Sequence, residues 1–478
     1  MRVALVVDNP LRDLPGIVLV ALTLCDHGAT CYLVPMNLAQ RELCALAPDF
    51  VLLNYLRRAN EALAQMLLDA GIGLGVLDTE GGVFPSFDSY AATMAQGSKT
   101  RLGIACYCAW GHQLARHVVE QGWYRSDQVV VTGAPRFDFY VPPWRAAALR
   151  MSSEYVGGCP PPIILVNGSF ALANPAFTSP EEEAKLWAKS GHDPYEVARW
   201  QEGQRATMAC FAELANNLAR RFSDATFVYR PHPFERVETY HRLLDTRDNL
   251  RLTRAGTVDG WILRAAAVIQ HGSSTAVEAG LAGVPALFPA WIPTAMPLRV
   301  PEVASVQCAS EGELIERLEL VLAGRGAELM AALEQTLAGV VRDWFCASDG
   351  KAHDRVAQAV LQHARPCDPK ERLRACRRAL YGGLDGGVRA RASGAVRRAL
   401  GLPPDWSFRR WRIVVPASWD RSLKRFGVRE VAAIVTAVEE ASRGSAQMRI
   451  GVRAAQCGCD YYFDYTAGRS VVLAPSGE

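Results

Sequence analysis

What the chain lacks narrows its class first. No run reaches the ~18 apolar residues that a membrane-spanning helix needs. The chain has 13 cysteines but no C-x-x-C pair; they stand singly or as C-x-C, at Cys106/Cys108 and Cys457/Cys459. Neither a zinc site nor a disulfide framework is therefore expected, and reduced thiols fit a cytoplasmic protein. No D-x-D stands beside a strand and the other metal-ligand signatures are missing, so no metal and no cofactor are expected. The net charge of +3 is too small to imply nucleic acid, and no nucleic-acid-binding module is recognisable. There is no repeat of solenoid period. The opening residues, MRVALVVDNP, read as a strand and a charged loop rather than a secretion leader.

What is present is an ordinary globular balance, 50% hydrophobic and 21% charged over 478 residues, enough for two or three domains. Short apolar runs alternate with helical stretches. Strands are expected at Arg2–Val7, Thr30–Val34, Phe50–Asn54, Leu74–Asp78, Ile104–Ala109 and Val129–Thr132. After Val141–Pro162, a Pro- and Gly-bearing stretch that reads as a linker, the rhythm restarts at Ile163–Val166. It continues through Thr226–Tyr229, Ala267–Gln270 and Pro285–Phe288. The pattern predicts an α/β protein of two Rossmann-like domains, residues 1–150 and 160–345, facing a cleft. Residues 366–478 form a C-terminal α+β extension.

That extension changes character. From Pro366 to Arg425 there are 15 Lys and Arg against five Asp and Glu, so the rest of the chain is net acidic. Lys370–Leu380 and Val388–Leu400 read as basic helices. Trp406, Phe408, Trp411 and Trp419 are interleaved with Arg409, Arg410, Arg412 and Arg421. Such a surface can seat on anionic lipid headgroups. The other reading is a solvated face packed down by its aromatics.

The chemistry-bearing residues cluster after strands. His271-Gly272-Ser273-Ser274-Thr275 follows one and opens a helix, where hydroxyls, spare N–H groups and the helix dipole favour a phosphate. Thr275-x-x-Glu278 is also a capping box, so Glu278 either caps or reaches a ribose. Arg230, His232 and Pro233 follow another strand, placing an imidazole beside the same phosphate. Asn167, Gly168 and Ser169 suit contact with the donor. On the opposite side, Asp78 and Glu80 in LDTEGG offer a general base for an acceptor hydroxyl. Asp138 is a nucleophile or a structural partner of Arg136. Arg136 and Arg12 can bind a carboxylate.

The order of the motifs VDNPLRDLPG, VLDTEGG, CAWG, TGAPRFD, VNGSF, YRPHP and QHGSSTAVEAGLAGVP resembles bacterial surface-carbohydrate biosynthesis proteins. That group is similar to retaining β-Kdo transferases of the two-domain GT-B type. The His232-Pro233 and Ser273-Ser274-Thr275 motifs also resemble those of bacterial sialyltransferases; Thr79-Glu80-Gly81 keeps only the second carboxylate of their acidic loop. The resemblance spans roughly residues 1–345. It implies transfer of a Kdo-like or nonulosonic acid from a CMP donor to a glycan or lipid-linked glycan acceptor. His232 and Ser273–Thr275 would hold CMP, and Glu80 would be the acceptor-side acid/base. The retaining nucleophile would be Asp138, Asp78 or Glu80. The extension would bring the enzyme to an acceptor at the inner membrane face. The alternatives are a UDP-sugar glycosyltransferase, a sugar-nucleotide 2-epimerase, or a non-catalytic sugar-nucleotide-binding scaffold.

Overall fold

In the computed structural model, residues 1–294, 296–381, 424–442, 450–454 and 471–475 are described. Two sheets carry the architecture. The first holds β1 (Arg2–Val7), β2 (Thr30–Pro35), β3 (Phe50–Leu53), β4 (Gly73–Leu77), β5 (Cys106–Ala109) and β6 (Val129–Val131). The second holds β7 (Ile163–Gly168), β8 (Thr226–Arg230), β9 (Leu250–Leu252), β10 (Ala265–His271), β11 (Ala286–Pro289) and β12 (Val306–Cys308). All twelve of these strands pair in parallel. The second sheet has the order β12-β11-β10-β7-β8-β9. The strands read as continuous apolar runs because helices cover both faces: Val3, Ala4, Leu5 and Val7 are all fully buried. Within the first sheet the order reverses at β1, and within the second at β7, so each sheet has its switch point beside a loop that the sequence marked.

The C-terminal extension returns to the first half. β13 (Ile450–Ala454) and β14 (Val471–Pro475) form an antiparallel pair, and β14 runs antiparallel along the outer edge of β2. Their addition covers an edge that would otherwise present unpaired backbone groups. The helices Ala352–His363 and Val428–Ala441 pack on the helix Pro10–Asp26. Leu165, Val228 and Val268 of the second sheet share one continuous buried cluster with Val3 and Leu5 of the first and Val18 of the helix Pro10–Asp26. The arrangement is GT-B-like: two Rossmann-like halves about a cleft, with an α+β extension.

Two expectations change. The stretch 141–162 is not an open linker. Trp144–Val156 is a helix with Ala147, Ala148, Ser152 and Val156 buried. Its small residues allow close packing, and the flanking Pro-Pro pairs hide the helical period. The apolar pattern alone predicts a helix over Pro15–Asp26, and the helix begins five residues earlier, at Pro10. Asn9 caps it, accepting from the Leu11 N–H at 3.1 Å, and Pro10 occupies the first turn, where no N–H is needed. The helix Pro369–Tyr381 covers the first predicted basic helix. Val388–Leu400 and the Trp406–Arg421 segment lie outside the described residues. Among the described residues, no helix is long and apolar enough to cross a membrane.

One contact places the site. A Cβ added at Gly16 would stand 2.6 Å from the Arg136 backbone nitrogen, so only glycine lets the first helix press against the turn carrying Arg136. Gly16→Val is expected to lower stability by roughly 1–3 kcal/mol through overpacking, read by urea denaturation. An unchanged midpoint would contradict this packing.

Candidate functional site

Loops at the carboxyl ends of β1, β4, β5, β6, β7, β8 and β10 line one cleft of about 930 Å³, open to solvent. The first half contributes Asn9, Leu11, Arg12, Thr79, Glu80, Trp110 and Arg136. The second contributes Asn167, Gly168, Ser169, Arg230, His232, Pro233, Gly272, Ser273, Ser274, Thr275 and Glu278. Most of the predicted residues therefore meet in a single place. Crevices beyond strand carboxyl ends are where such sheets bind ligands.

In the second half, Gly272 takes φ +64°, turning the chain sharply after β10. Ser273 follows at the head of the helix Thr275–Ala282. Its Oγ accepts from the Thr275 N–H at 3.4 Å and the Thr275 hydroxyl at 3.0 Å, leaving its own proton for a ligand. Ser274, not Thr275, is the N-cap residue. Glu278 does not close the capping box that the sequence suggested. Its carboxylate accepts from Ser274 Oγ at 2.9 Å and from the Tyr140 hydroxyl at 2.5 Å, which ties the two halves together. Asn167 is buried with its Oδ1 unpartnered at the cleft wall.

His232 Nδ1 accepts from the Phe234 N–H at 3.2 Å. That bond sets the tautomer and leaves Nε2–H as the donor. Burial, with Arg12 and Arg230 nearby, pulls the imidazole down to about 4, against Glu80 and Asp8. It is a neutral donor at pH 7. Arg230 turns its guanidinium to the carbonyls of Ala255 (2.8 Å) and Gly256, and burial lowers it to about 10. It braces the cleft wall more than it offers a free charge.

Across the cleft, Glu80 accepts from Arg57 Nη1 at 2.7 Å and stands 3.5 Å from Arg12 Nη1. Burial alone would raise its pKa, but the two arginines bring it to about 2. A carboxylate held that low is a poor proton acceptor at neutral pH, so base chemistry at Glu80 requires a ligand to draw an arginine away. Arg12 is itself surrounded: Asp13 holds Nε at 2.8 Å and Nη2 at 3.0 Å, and Asp8 lies 3.7 Å away. Burial opposes its charge, yet these carboxylates raise its pKa. Arg136 differs. Its nearest carboxylates, Asp13 and Glu278, are both 4.0 Å away, and its guanidinium lies 4.9 Å from the rings of both Trp110 and Phe137.

Three predicted residues are placed elsewhere. Asp138 does not face the cleft. It accepts from the Ala352 and His353 N–H groups (3.1 and 2.9 Å) and the His353 ring (2.7 Å), capping the helix Ala352–His363. Its role is to fasten that returning helix, and it is neither a nucleophile nor a partner of Arg136. His271 is also buried; its Nε2 bonds the Ile292 carbonyl at 3.2 Å, among Phe170, Phe211 and Phe288. Asp78 lies beneath the cleft, accepting from the Tyr90 hydroxyl (2.5 Å), Arg57 and the Glu80 N–H (2.9 Å). Of the three candidate nucleophiles, only Glu80 lines the cleft.

Sequence reasoning missed Arg57, Glu235 and Lys424. Arg57 follows β3 in an Arg-Arg pair, a visible but common signal. Glu235 is fully buried, two residues past the His-Pro motif. It accepts from the Phe170 N–H (2.8 Å), the His232 N–H (3.2 Å) and the Tyr240 hydroxyl, joining the loops after β7 and β8. Lys424 reaches Asp8 at 2.8 Å and lies over the Phe234 ring. Among the described residues, no group of three or more His, Cys, Asp and Glu is placed to hold a metal ion.

No family model matches the chain, and no curated relative matches it. Solved structures do resemble it. The UDP-GlcNAc 2-epimerase from Neisseria meningitidis bound to UDP-GlcNAc is 14% identical, with a TM-score of 0.49 over 76% of this chain and 100% of that one. S. aureus MnaA with UDP is 12% identical, with a TM-score of 0.46 over 77% of this chain and 99% of that one. The wall teichoic acid polymerase TagF is 12% identical, with a TM-score of 0.41 over 63% and 69%.

Two outcomes test this geometry. Asp138→Ala is expected to destabilise the fold by about 3 kcal/mol, because it strips a buried acceptor from three donors; a loss of activity at full stability would return Asp138 to the cleft. Between pH 6.5 and 4 the unfolded chain holds a proton on His232 that the folded chain does not. Its stabilising contribution is complete above pH 6.5 and is lost as pH falls towards 4. Glu235, raised by burial to about 7, has the opposite slope. Comparison with His232→Asn isolates the histidine: the variant should lose less stability on acidification, by on the order of 1 kcal/mol. Parallel pH profiles would contradict a neutral His232.

Proposed function

We propose that this protein is a glycosyltransferase of surface-polysaccharide assembly that uses a nucleotide-activated acidic sugar, with CMP as the leaving group. The observation that carries this reading is the meeting of His232, Ser273–Thr275 and Glu80 in one cleft, lined from both halves. In this reading residues 160–345 hold the nucleotide and residues 1–150 hold the acceptor. The donor phosphate sits at the head of the helix Thr275–Ala282, where the dipole and the Ser273 hydroxyl favour an anion. His232 donates through Nε2–H as negative charge develops on the departing phosphate. A neutral donor is suited to this, since it strengthens as charge appears and carries no ground-state charge to satisfy. The Asn167 amide and the Glu278 carboxylate face the nucleoside.

Glu80 is the group nearest the sugar carbon and the acceptor. In the empty cleft Arg57 and Arg12 keep it ionised. An anionic group of the acceptor entering the cleft would compete for Arg12, freeing Glu80 to attack the anomeric carbon or to take the acceptor proton. Retention with a covalent intermediate follows from the first route, inversion from the second.

Two measurements test the reading. Calorimetric titration with CMP, UDP and UDP-GlcNAc should show binding to CMP and a preference for it. A UDP preference would favour the UDP-sugar transferase or 2-epimerase alternative. With CMP-Kdo as donor, His232→Ala should lose at least ~100-fold in turnover while keeping its fold by circular dichroism. Unchanged turnover would remove His232 from the reaction, and nucleotide binding with no turnover in the natural chain would favour the scaffold.

A further inference from the structure

Behind the main cleft lies a narrow side pocket lined wholly by the first half: Asp13, Gly16, Ile17, Leu77, Ala134 and Pro135 among others. Thr79, Trp110 and Arg136 line both this pocket and the main cleft, so they form the wall between them. Each has a buried polar atom with no partner in the chain: Thr79 Oγ1, Trp110 Nε1, and Arg136 Nε and Nη1. The side chains are themselves deeply buried. Arg136 keeps 10% of its side chain exposed, and Trp110 and Thr79 are 1% and 7% exposed as residues. Buried donors are almost always satisfied. Three orphaned together, one of them cationic, mark a place built for an acceptor that the chain does not supply.

The charge arrangement says what kind. Arg12 is also in the cleft, but three carboxylates already compensate it. Arg136 has none closer than 4.0 Å, and its one hydrogen bond, to Ser274 Oγ, is long at 3.5 Å. Stacking on Trp110 and Phe137 supports the guanidinium without neutralising it. The two acids that also line the pocket are already engaged: Asp13 by Arg12 and the Asn9 N–H, Asp78 by Arg57, Tyr90 and the Glu80 N–H. The unmet need is for a small anion at the Nε and Nη1 edge of Arg136, whose Nη2 is turned to Ser274 at the head of the helix Thr275–Ala282.

We infer that Arg136, Trp110 and Thr79 form a carboxylate subsite that reads the acid group of the donor sugar, separate from the phosphate site of Ser273 and His232. This rests on the proposed reading of the cleft as a nucleotide-sugar site and names its substrate class: 2-keto acid sugars, not neutral hexoses. The indole N–H and the threonine hydroxyl each donate one hydrogen bond to the carboxylate, and Arg136 supplies the countercharge. A neutral sugar in the same position would leave all three donors unmet, which is how a polar site rejects an analogue lacking the group.

Equilibrium binding of CMP and of CMP-Kdo tests this in the full-length protein, the Arg136→Met variant and the Thr79→Val variant. The natural chain should bind CMP-Kdo more tightly than CMP. Arg136→Met should weaken CMP-Kdo at least tenfold while leaving CMP within about twofold. Thr79→Val should shift the same ratio in the same direction by a smaller factor, and it decides the matter if Arg136→Met fails to fold. An equal loss for both ligands would put Arg136 on the phosphate and overturn the subsite. Unchanged CMP-Kdo affinity in both variants would also overturn it. If the natural chain binds UDP-GlcNAc but neither CMP ligand, the reading of the cleft falls first and the subsite falls with it.

Discussion

A guanidinium withdrawn from water where the two sheets meet is the constraint around which this protein is arranged. Arg136 arrives on the turn after β6, pressed by the first helix at Gly16, and faces Glu278 and Ser274 of the other half. A charge so buried is unfavourable unless it is paired, and at 4.0 Å the chain pairs it only loosely. The compensations are lateral: two aromatic faces, and a Tyr140–Glu278 hydrogen bond that fixes the acid opposite. Two carboxyl edges, a shared core and a loosely paired cation together make a cleft that favours anions before any ligand enters.

The remaining charges divide the work by how completely they are compensated. Arg12 and Arg57 hold Glu80 ionised and are held by it, so that side of the cleft is a closed network. His232 is neutral and directed by its own backbone bond. Glu235 joins the loops after β7 and β8 from beneath, and Lys424 of the C-terminal extension reaches Asp8 of the first half and Phe234 of the second. The site is thus a set of fixed dipoles and one unsatisfied charge, an arrangement suited to stabilising negative charge as a bond breaks.

The parallel strands were legible because a strand buried on both faces is an unbroken apolar run, and every loop that lines the cleft follows such a run. The strands β9 and β12 were not: each is three residues long and has a polar residue at its centre, Arg251 and Gln307, so no apolar run marks it. The misplaced residues share one physical cause. Asp78, Asp138 and His271 stand in motifs beside the cleft, but a side chain at a strand end points either into the crevice or back under a helix, and one sequence does not record which. Asp138 turns back because the N-terminus of Ala352–His363, more than 200 residues on, offers it three donors. Arg57 and Lys424 were missed for the converse reason, that their partners are remote in the chain, and Glu235 because its link to the Phe170 N–H is; nothing local distinguishes them from surface charges. The orphaned donors of Thr79 and Trp110 exist only in three dimensions.

The most direct test of the account is a crystal structure of the protein with CMP. The phosphate should lie between the Ser273 hydroxyl and His232 Nε2, with the nucleoside against Asn167 and Glu278 and the Arg136 pocket left free. A nucleotide bound outside this cleft, or a phosphate seated on Arg136 with His232 uninvolved, would contradict it.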